Sequence, residues 1–311
     1  MLNALLDLEL TVPDPAGLEG FWLRRGLLPT APGVLGTADR PTQLRLREGP
    51  YRHVSQLRLG CDTAGDLDEI AARLDKLGLV AHLGDGELRV ADPINDHDVV
   101  VAVVAAPALT PPAPRQLNGP GHITRTDRRS SACLGRAPSA PRRVGHVVFG
   151  TPDVEASRSF YEDGLGFEVS DGVGPGLGWF LRCSADHHNL LLMPSPVPCL
   201  NHYAVEVDDV DAIGLAAHAV LAERPEATVA GLGRHIVGAN LFWYLLDPAG
   251  GMFELFADMD QIVDAEQWAK DERRDDWGLD IAAWNASGPS PDFFLPSDLD
   301  ALASARATAG R

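Results

Sequence analysis

Short stretches in which apolar and polar residues alternate recur along the chain, and they predict β-strands. Clear examples are LDLEL (6–10) and HYAVEV (202–207), because successive side chains of a strand point to opposite faces. Two longer stretches, DLDEIAARLDKLG (66–78) and DDVDAIGLAAHAVLAE (208–223), place apolar residues at helical spacing. The pattern therefore predicts a mixed fold of strands and helices, of the α+β class.

The order of these elements repeats along the chain. TVPDPAGLEGFWLRRGLL (11–28) and GTPDVEASRSFYEDGLGF (150–167) share a Pro-Asp pair followed by two aromatic residues, and Asp14 and Asp153 are suited to cap the helices that follow. An Asp-Pro turn precedes a strand in both ADPINDHDVVVAVV (91–104) and LDPAGGMFELFAD (246–258). The repeat predicts one βαβββ motif that is used twice in each half of the chain.

A segment of different composition separates the two halves. Residues 108–143 are rich in Pro, Ser and Gly, lack apolar periodicity and contain seven arginines with one acidic residue. Such a segment is typical of an interdomain linker. We therefore expect an N-terminal domain at 1–107, a linker at 108–143, a C-terminal domain at 144–258 and a tail at 259–311 that packs near the C-terminal domain.

The charge and the composition narrow the function classes. The chain has 311 residues and a formal net charge of −18, which argues against a nucleic-acid partner because phosphate binding requires clustered cations. No apolar run reaches membrane-spanning length, so we expect no membrane partner. The four cysteines show no CxxC spacing, which predicts neither a disulfide scaffold nor a zinc site and favours a cytoplasmic protein.

Four βαβββ motifs with strands curling around a central cleft resemble the vicinal oxygen chelate superfamily. That superfamily includes the glyoxalases, the bleomycin-resistance proteins and the type I extradiol dioxygenases. The two-domain length, the linker and the tail are most similar to the extradiol dioxygenases, and the local motifs to the dihydroxybiphenyl type. The resemblance covers residues 1–258 and implies two vicinal oxygen chelate domains, each built from paired motifs.

The second half contains residues that suit a metal centre. His146, His202 and Glu254 lie in three predicted strands, and two imidazoles with one carboxylate can occupy one face of an octahedral ion. Each residue alone also fits an ordinary buried strand position. The resemblance implies that together they are the ligands of Fe(II), and Mn(II) is a possible alternative for the same ligand set.

Further residues match the family's ring-cleaving site. His188 follows His187 in HHNLLLMP, and His235 and Tyr244 lie in GRHIVGANLFWYLLDP. The resemblance implies that His188 is the acid–base residue and that His235 and Tyr244 are catalytic and contact the substrate hydroxyls. By the same analogy Phe180 lines the substrate pocket, although it also fits a core position.

The first half lacks the candidate ligand set. Alignment of the two repeats places Asp7 at the position of His146 and Val99 at that of Glu254. Valine cannot bind a metal, so we expect the N-terminal domain to be metal-free. The resemblance implies that this half contributes packing and oligomer contacts, and we therefore expect a homo-oligomer.

These observations favour an Fe(II)-dependent extradiol dioxygenase that acts on a substituted catechol and O₂. Two alternatives from other classes remain open. A glyoxalase-like metal-dependent isomerase or lyase would leave His188, His235 and Tyr244 without a role, and a non-catalytic small-molecule-binding protein would not require the metal ligands. A hydroquinone-cleaving relative is a further alternative within the dioxygenases.

Overall fold

The chain forms two mixed β-sheets with helices packed against them. A computed structural model describes residues 1–112, 116–130, 140–174, 178–271, 282–285, 295–296 and 298–309. The first sheet is built from residues 2–103 and the second from residues 143–285. The α+β class predicted from the hydrophobic pattern is confirmed, and both sheets are open.

The first sheet has eight strands and is accompanied by two helices. Its strands are β1 (Leu2–Val12), β2 (Leu28–Ala31), β3 (Val34–Gly36), β4 (Leu44–Glu48), β5 (His53–Cys61), β6 (His82–Gly84), β7 (Glu87–Ala91) and β8 (Asp98–Val103). They lie in the order β2-β3-β4-β1-β5-β8-β7-β6. The helices are α1 (Pro15–Leu23) and α2 (Ala64–Lys76).

The second sheet has nine strands in the described part of the chain. They are β9 (Arg143–Thr151), β10 (Glu168–Gly172), β11 (Trp179–Arg182), β12 (Leu190–Pro194), β13 (Cys199–Glu206), β14 (Thr228–His235), β15 (Leu241–Leu246), β16 (Met252–Ala257) and β17 (Ala282–Asn285). Their order is β10-β11-β12-β9-β13-β16-β15-β14-β17. The helical segments are α3 (Val154–Ser159), a π-helical turn (Phe160–Leu165), α4 (Val210–Glu223), a 3₁₀ turn (Pro225–Ala227), α5 (Ala265–Asp271) and α6 (Leu299–Thr308).

The two sheets have the same topology apart from the edge strand β17. In the first sheet β1 is parallel to β4 and antiparallel to β5, and β5 is parallel to β8. The strands β9, β12, β13 and β16 repeat this arrangement in the second sheet. The predicted caps are confirmed, because Asp14 accepts a hydrogen bond from the Gly17 amide and Asp153 from the Ala156 amide.

Aromatic side chains join the two halves at two equivalent places. Trp22 of α1 donates a hydrogen bond of 3.1 Å to the Tyr203 hydroxyl, which donates to Asp247 at 2.8 Å. Tyr161 of the π-helical turn donates directly to Asp92 at 2.9 Å. Asp92 and Asp247 are the aspartates of the two Asp-Pro turns, so each half inserts one aromatic residue towards the other half's turn.

The linker and the tail pack differently. Where it is described, the segment 104–142 forms one isolated bridge, Gly119–His122, and Thr110 donates to Asp39. In the tail, β17 pairs with β14, and α6 lies beside the first half, where Arg306 forms an ion pair with Asp96. Residues 272–281 and 286–294 lie outside the described part of the tail. Among the described helices, none combines the length and apolarity of a membrane crossing.

Candidate metal centre and substrate cavity

Three central strands of the second sheet bring the predicted metal ligands together. His146 lies on β9, His202 on β13 and Glu254 on β16, and all three side chains are buried. One candidate ligand atom from each residue lies within 4.8 Å of the others. The convergence follows from the sheet order, because β13 lies directly between β9 and β16.

The register of these strands places the ligands on one face. Ala204 of β13 pairs with His146 on one side and with Glu254 on the other. His202 lies two residues before Ala204 and therefore shares its face of the sheet. The small side chain of Ala204 leaves room between the imidazole and the carboxylate.

The geometry of the three residues fits a shared cation. Oε2 of Glu254 lies 2.9 Å from Nε2 of His146 and 3.3 Å from Nε2 of His202. Two ligand atoms at about 2.1 Å from one ion are separated by about 3.0 Å when they are cis in an octahedron. Nε2 of His202 is also buried without a hydrogen-bond partner, which a buried nitrogen tolerates when it binds a metal.

Two asparagines orient the candidate ligands. Asn240 donates a hydrogen bond of 2.8 Å to Oε1 of Glu254, and Oδ1 of Asn201 lies 2.6 Å from Nδ1 of His202. Burial raises the pKa of Glu254, but the neighbouring His146 and His202 imidazoles outweigh this effect and hold the pKa well below its usual value. The carboxylate is therefore charged in the centre of the fold.

His188 lies beside the centre rather than within the ligand set. Its ring centroid is 4.4 Å from that of His146 and 5.0 Å from that of Phe180. Burial and the surrounding histidines lower the pKa of His188 well below its usual value. The imidazole is therefore neutral near pH 7, as a proton acceptor must be.

His235 and Tyr244 form a second polar pair at the centre. Nε2 of His235 lies 2.9 Å from the Tyr244 hydroxyl, and the Tyr244 ring is 5.1 Å from that of His202. Burial and the nearby Glu254 raise the pKa of Tyr244 well above its usual value. Tyr244 therefore keeps its hydroxyl proton and can donate a hydrogen bond.

All of the predicted site residues line one cavity. Its volume is about 20 Å³, which is about the space that one water molecule needs. The lining residues are His146, Val148, Phe180, His188, Leu191, Met193, Asn201, His202, His235, Tyr244 and Glu254. The site thus combines polar groups at the metal centre with apolar walls.

The equivalent positions of the first sheet hold a different set of residues. Asp7 accepts a hydrogen bond of 2.9 Å from Arg45, and Val99 lies on β8. The registers of β1, β5 and β8 place Gln56 at the position of His202 and Val100 at that of Glu254, whereas Val99 pairs with Leu57 in the core. His53 stacks on Tyr51. In the described ranges, the one group that combines two histidines and a carboxylate is in the second sheet.

Neither Asn240 nor Asp171 was assigned a role from the sequence. Asn240 bonds Glu254, fourteen residues away, and Asp171 of β10 lies 2.8 Å from His187 in the segment before β12. The one sequence feature that points to Asn240 is its position in the motif GRHIVGANLFWY, which also contains His235 and Tyr244. No sequence feature points to Asp171, because tertiary packing determines its partner.

Comparison with known proteins agrees with this site. The model of the Glyoxalase/Bleomycin resistance protein/Dioxygenase superfamily matches residues 143–255. The chain is 31% identical over 303 residues to Metapyrocatechase 2 of Cupriavidus necator, covering 92% of this chain and 89% of the relative. It is 35% identical over 155 residues to the Iron-dependent extradiol dioxygenase of Rhodococcus jostii, covering 45% and 51%.

The fold comparison covers nearly the whole chain. The crystal structure of BphC, a halotolerant catechol dioxygenase, aligns with a TM-score of 0.72 at 17% identity and covers 94% of this chain and 97% of that chain. Fold and sequence therefore define a member of the vicinal oxygen chelate superfamily. Within it, the chain belongs to the type I extradiol dioxygenases, so the predicted family is confirmed.

Proposed function

We propose that this protein is an Fe(II)-dependent extradiol dioxygenase that opens a substituted catechol next to its two hydroxyl groups with O₂. The convergence of His146, His202 and Glu254 in one cavity carries the proposal. Two imidazoles and one carboxylate, with other coordination positions open, are typical of ferrous oxygenases. The names of the relatives, metapyrocatechase and extradiol dioxygenase, support it.

The three ligands would hold the iron, and Mn(II) fits the same donor set. Bound Fe(II) supplies acidification of the substrate hydroxyl and the redox chemistry with O₂. We favour iron because the relative named as iron-dependent is 35% identical over 155 residues, whereas the relative named as manganese-dependent is 27% identical over 145 residues. The preference is tested by comparing turnover of the same preparation loaded with Fe(II) or with Mn(II).

The remaining side chains of the site would transfer protons and orient the substrate. His188 would accept a proton from a substrate hydroxyl and later return it, since it is neutral, buried and part of the cavity wall. Tyr244 would donate a hydrogen bond to a substrate oxygen, and His235 would hold the substrate from the same side. Their mutual contact of 2.9 Å keeps both groups directed towards one place.

The cavity wall favours uncharged ring substituents. Val148, Phe180, Leu191 and Met193 supply apolar surface, and among the residues that the structure describes no lysine or arginine lines the cavity. A carboxylate on the ring would lose its hydration without gaining a cationic partner. We therefore propose alkyl- or aryl-substituted catechols as the substrate class.

The test is an anaerobic iron loading followed by a catechol panel. Unsubstituted, 3-alkyl, 3-aryl and carboxylated catechols are mixed with oxygenated buffer, and oxygen uptake and the yellow ring-opened product are recorded. We expect stoichiometric oxygen uptake with the uncharged catechols and little with the carboxylated one. Oxygen-independent conversion of a hemithioacetal would instead support the isomerase alternative, and tight ligand binding by metal-stripped protein would support the binding-protein alternative.

The proposal also includes the oligomeric state and the cellular location of the protein. We propose a cytoplasmic homo-oligomer whose partners are the aromatic diol and O₂, with neither nucleic acid nor membrane. Light scattering of the metal-loaded protein measures the subunit number, and cell fractionation measures the location. A monomer or a membrane-bound fraction would contradict the corresponding statement.

A further inference from the structure

A buried chain of three side chains leads away from the cavity behind His188. Nδ1 of His188 lies 3.0 Å from Nδ1 of His187, and Nε2 of His187 lies 2.8 Å from Oδ2 of Asp171. All three side chains are buried, with exposed fractions of 3%, 0% and 5% respectively. His187 and Asp171 do not line the cavity themselves.

The placement of hydrogens along this chain follows from donor and acceptor chemistry. An ionised carboxylate can only accept, so Nε2 of His187 must carry the hydrogen that Asp171 receives. With this single ring hydrogen on Nε2, His187 has a lone pair at Nδ1 that accepts from Nδ1–H of His188. His188 is consequently left with an unprotonated Nε2, the nitrogen that remains for a substrate in the cavity.

Packing holds the His187 ring in this position. Its backbone amide donates to the Asp260 carbonyl at 2.9 Å, and the Trp268 ring packs edge-on at 5.4 Å. Trp268 also donates to the carbonyl of Ser170, next to Asp171. Gly238 has φ +75°, and a Cβ there would lie 3.0 Å from Nδ1 of His187, so the close approach of this backbone requires glycine.

We propose that Asp171 and His187 are positioning residues that fix the Nδ1–H tautomer of His188 and leave its Nε2 free to accept the substrate proton. A carboxylate that orients a catalytic imidazole is a known arrangement. Here His187 lies between the carboxylate of Asp171 and the imidazole of His188. The catalytic consequence of this arrangement rests on the proposed dioxygenase function. The tautomer itself does not depend on that function.

The first experiment reads the tautomer without activity. The full chain is labelled with ¹⁵N-histidine and loaded with diamagnetic Zn(II), and long-range ¹H–¹⁵N spectra identify the protonated nitrogen of each ring, with His188→Ala assigning the His188 signals. We expect Nδ1–H on His188 and Nε2–H on His187. An Nε2–H tautomer of His188 in the wild-type protein overturns the proposal.

Two variants then test the control exerted by the chain. Asp171→Asn removes the charge that requires a hydrogen on Nε2 of His187, because the amide can donate to Nε2 as well as accept from it. His187→Phe keeps aromatic packing against Trp268 and removes the link to His188. For the iron-loaded variants we expect kcat to fall by roughly 10²- to 10⁴-fold, the range of acid–base catalysis, with KM and iron content near the wild-type values.

Asp7→Asn is the matched control, because Asp7 is also a buried carboxylate but lies in the first half. It should leave both the His188 tautomer and kcat unchanged, whatever it does to the Tm. An unaltered His188 tautomer and a kcat within twofold of wild type in His187→Phe would overturn the proposal. If a variant fails to fold, the tautomer of His188 in the wild-type protein still tests the proposal.

The two proposals fail separately. Absence of oxygen-dependent ring cleavage in a wild-type protein that shows the expected tautomers would refute the dioxygenase function and leave the hydrogen-bond chain intact. Ring cleavage by a wild-type protein with the opposite tautomers would refute the positioning role alone.

Discussion

The side-chain amide of Asn240 donates a hydrogen bond of 2.8 Å to Oε1 of Glu254, while Oε2 of the same carboxylate faces His146 and His202. Asn240 therefore determines which carboxylate oxygen is presented to a metal ion. Hydrogen-bond partners of metal ligands commonly contribute to metal affinity in this way.

Replacing Asn240 by leucine should weaken Fe(II) binding by about 10- to 100-fold, because Glu254 loses the contact that orients it. Anaerobic titration against a competing chelator measures the Kd. Asn95→Leu serves as control, since Asn95 is a buried asparagine that bonds Asp92 in the first half. Equal Kd values for Asn240→Leu and wild type would show that Glu254 does not need this contact.

His202 and His188 should respond differently to truncation. His202→Ala removes a candidate ligand and should abolish stoichiometric iron binding, whereas His188→Ala should retain iron and lose roughly 10²- to 10⁴-fold in turnover. Iron content by elemental analysis and oxygen uptake separate the two effects. Similar loss of iron from both variants would contradict the separate roles.

Leu191 and Leu192 are adjacent on β12 but face different environments. Leu191 packs in the small cluster at the cavity, and Leu192 belongs to the main core. Both alanine variants should lower the stability, by about 2–5 kcal/mol for a fully buried leucine. Only Leu191→Ala should raise kcat/KM for a bulky catechol relative to catechol, by about tenfold or more. An equal change of selectivity in Leu192→Ala would place the substrate elsewhere.

His97 should make the folded state sensitive to acid. Its Nε2 lies 2.8 Å from the Tyr161 hydroxyl and 3.8 Å from Asp92, and burial lowers its pKa below 6.5 although Asp92 opposes the effect. The unfolded chain thus binds a proton at a higher pH than the folded chain. The contribution of His97 is fully present above pH 6.5 and is lost as the pH falls towards the lower folded pKa.

Urea unfolding of the metal-free protein between about pH 7 and about pH 5 measures this effect. The free energy of unfolding of His97→Gln should decline less over this interval than that of wild type. Comparing the two chains isolates His97, since the other buried histidines titrate in both. Parallel curves would mean that His97 takes up its proton equally in the folded and unfolded states.

The sequence predicted the parts of the structure that depend on local pattern and on repetition. Alternation and helical spacing predicted the strands around Leu8 and His202 and the helix around Ile70, and the repeat predicted the matching topologies. It also predicted which residues would meet at the centre, because the family resemblance supplied their long-range pairing. From composition and spacing alone, a metal-binding role of His202 could not have been distinguished from that of an ordinary buried histidine in a strand.

Contacts between residues far apart in the chain could not be predicted in this way. The chain through His187 depends on the distance between β10 and the segment before β12, and Trp22 meets Tyr203 across 181 positions. No periodicity encodes such distances. Asp171 could therefore not be identified from the sequence as the partner of His187.

The exchange of Trp22 and Tyr161 between the halves makes each half incomplete by itself. A fragment that begins at β9 would expose the surface of Tyr203 and Phe253 on which Trp22 and Phe21 now pack. A single proteolytic nick in the exposed segment near Leu117 would not separate the halves, because buried rings and hydrogen bonds hold them together without the covalent connection. The two similar halves therefore depend on each other for folding, and the half without the candidate metal ligands stabilises the half that carries them.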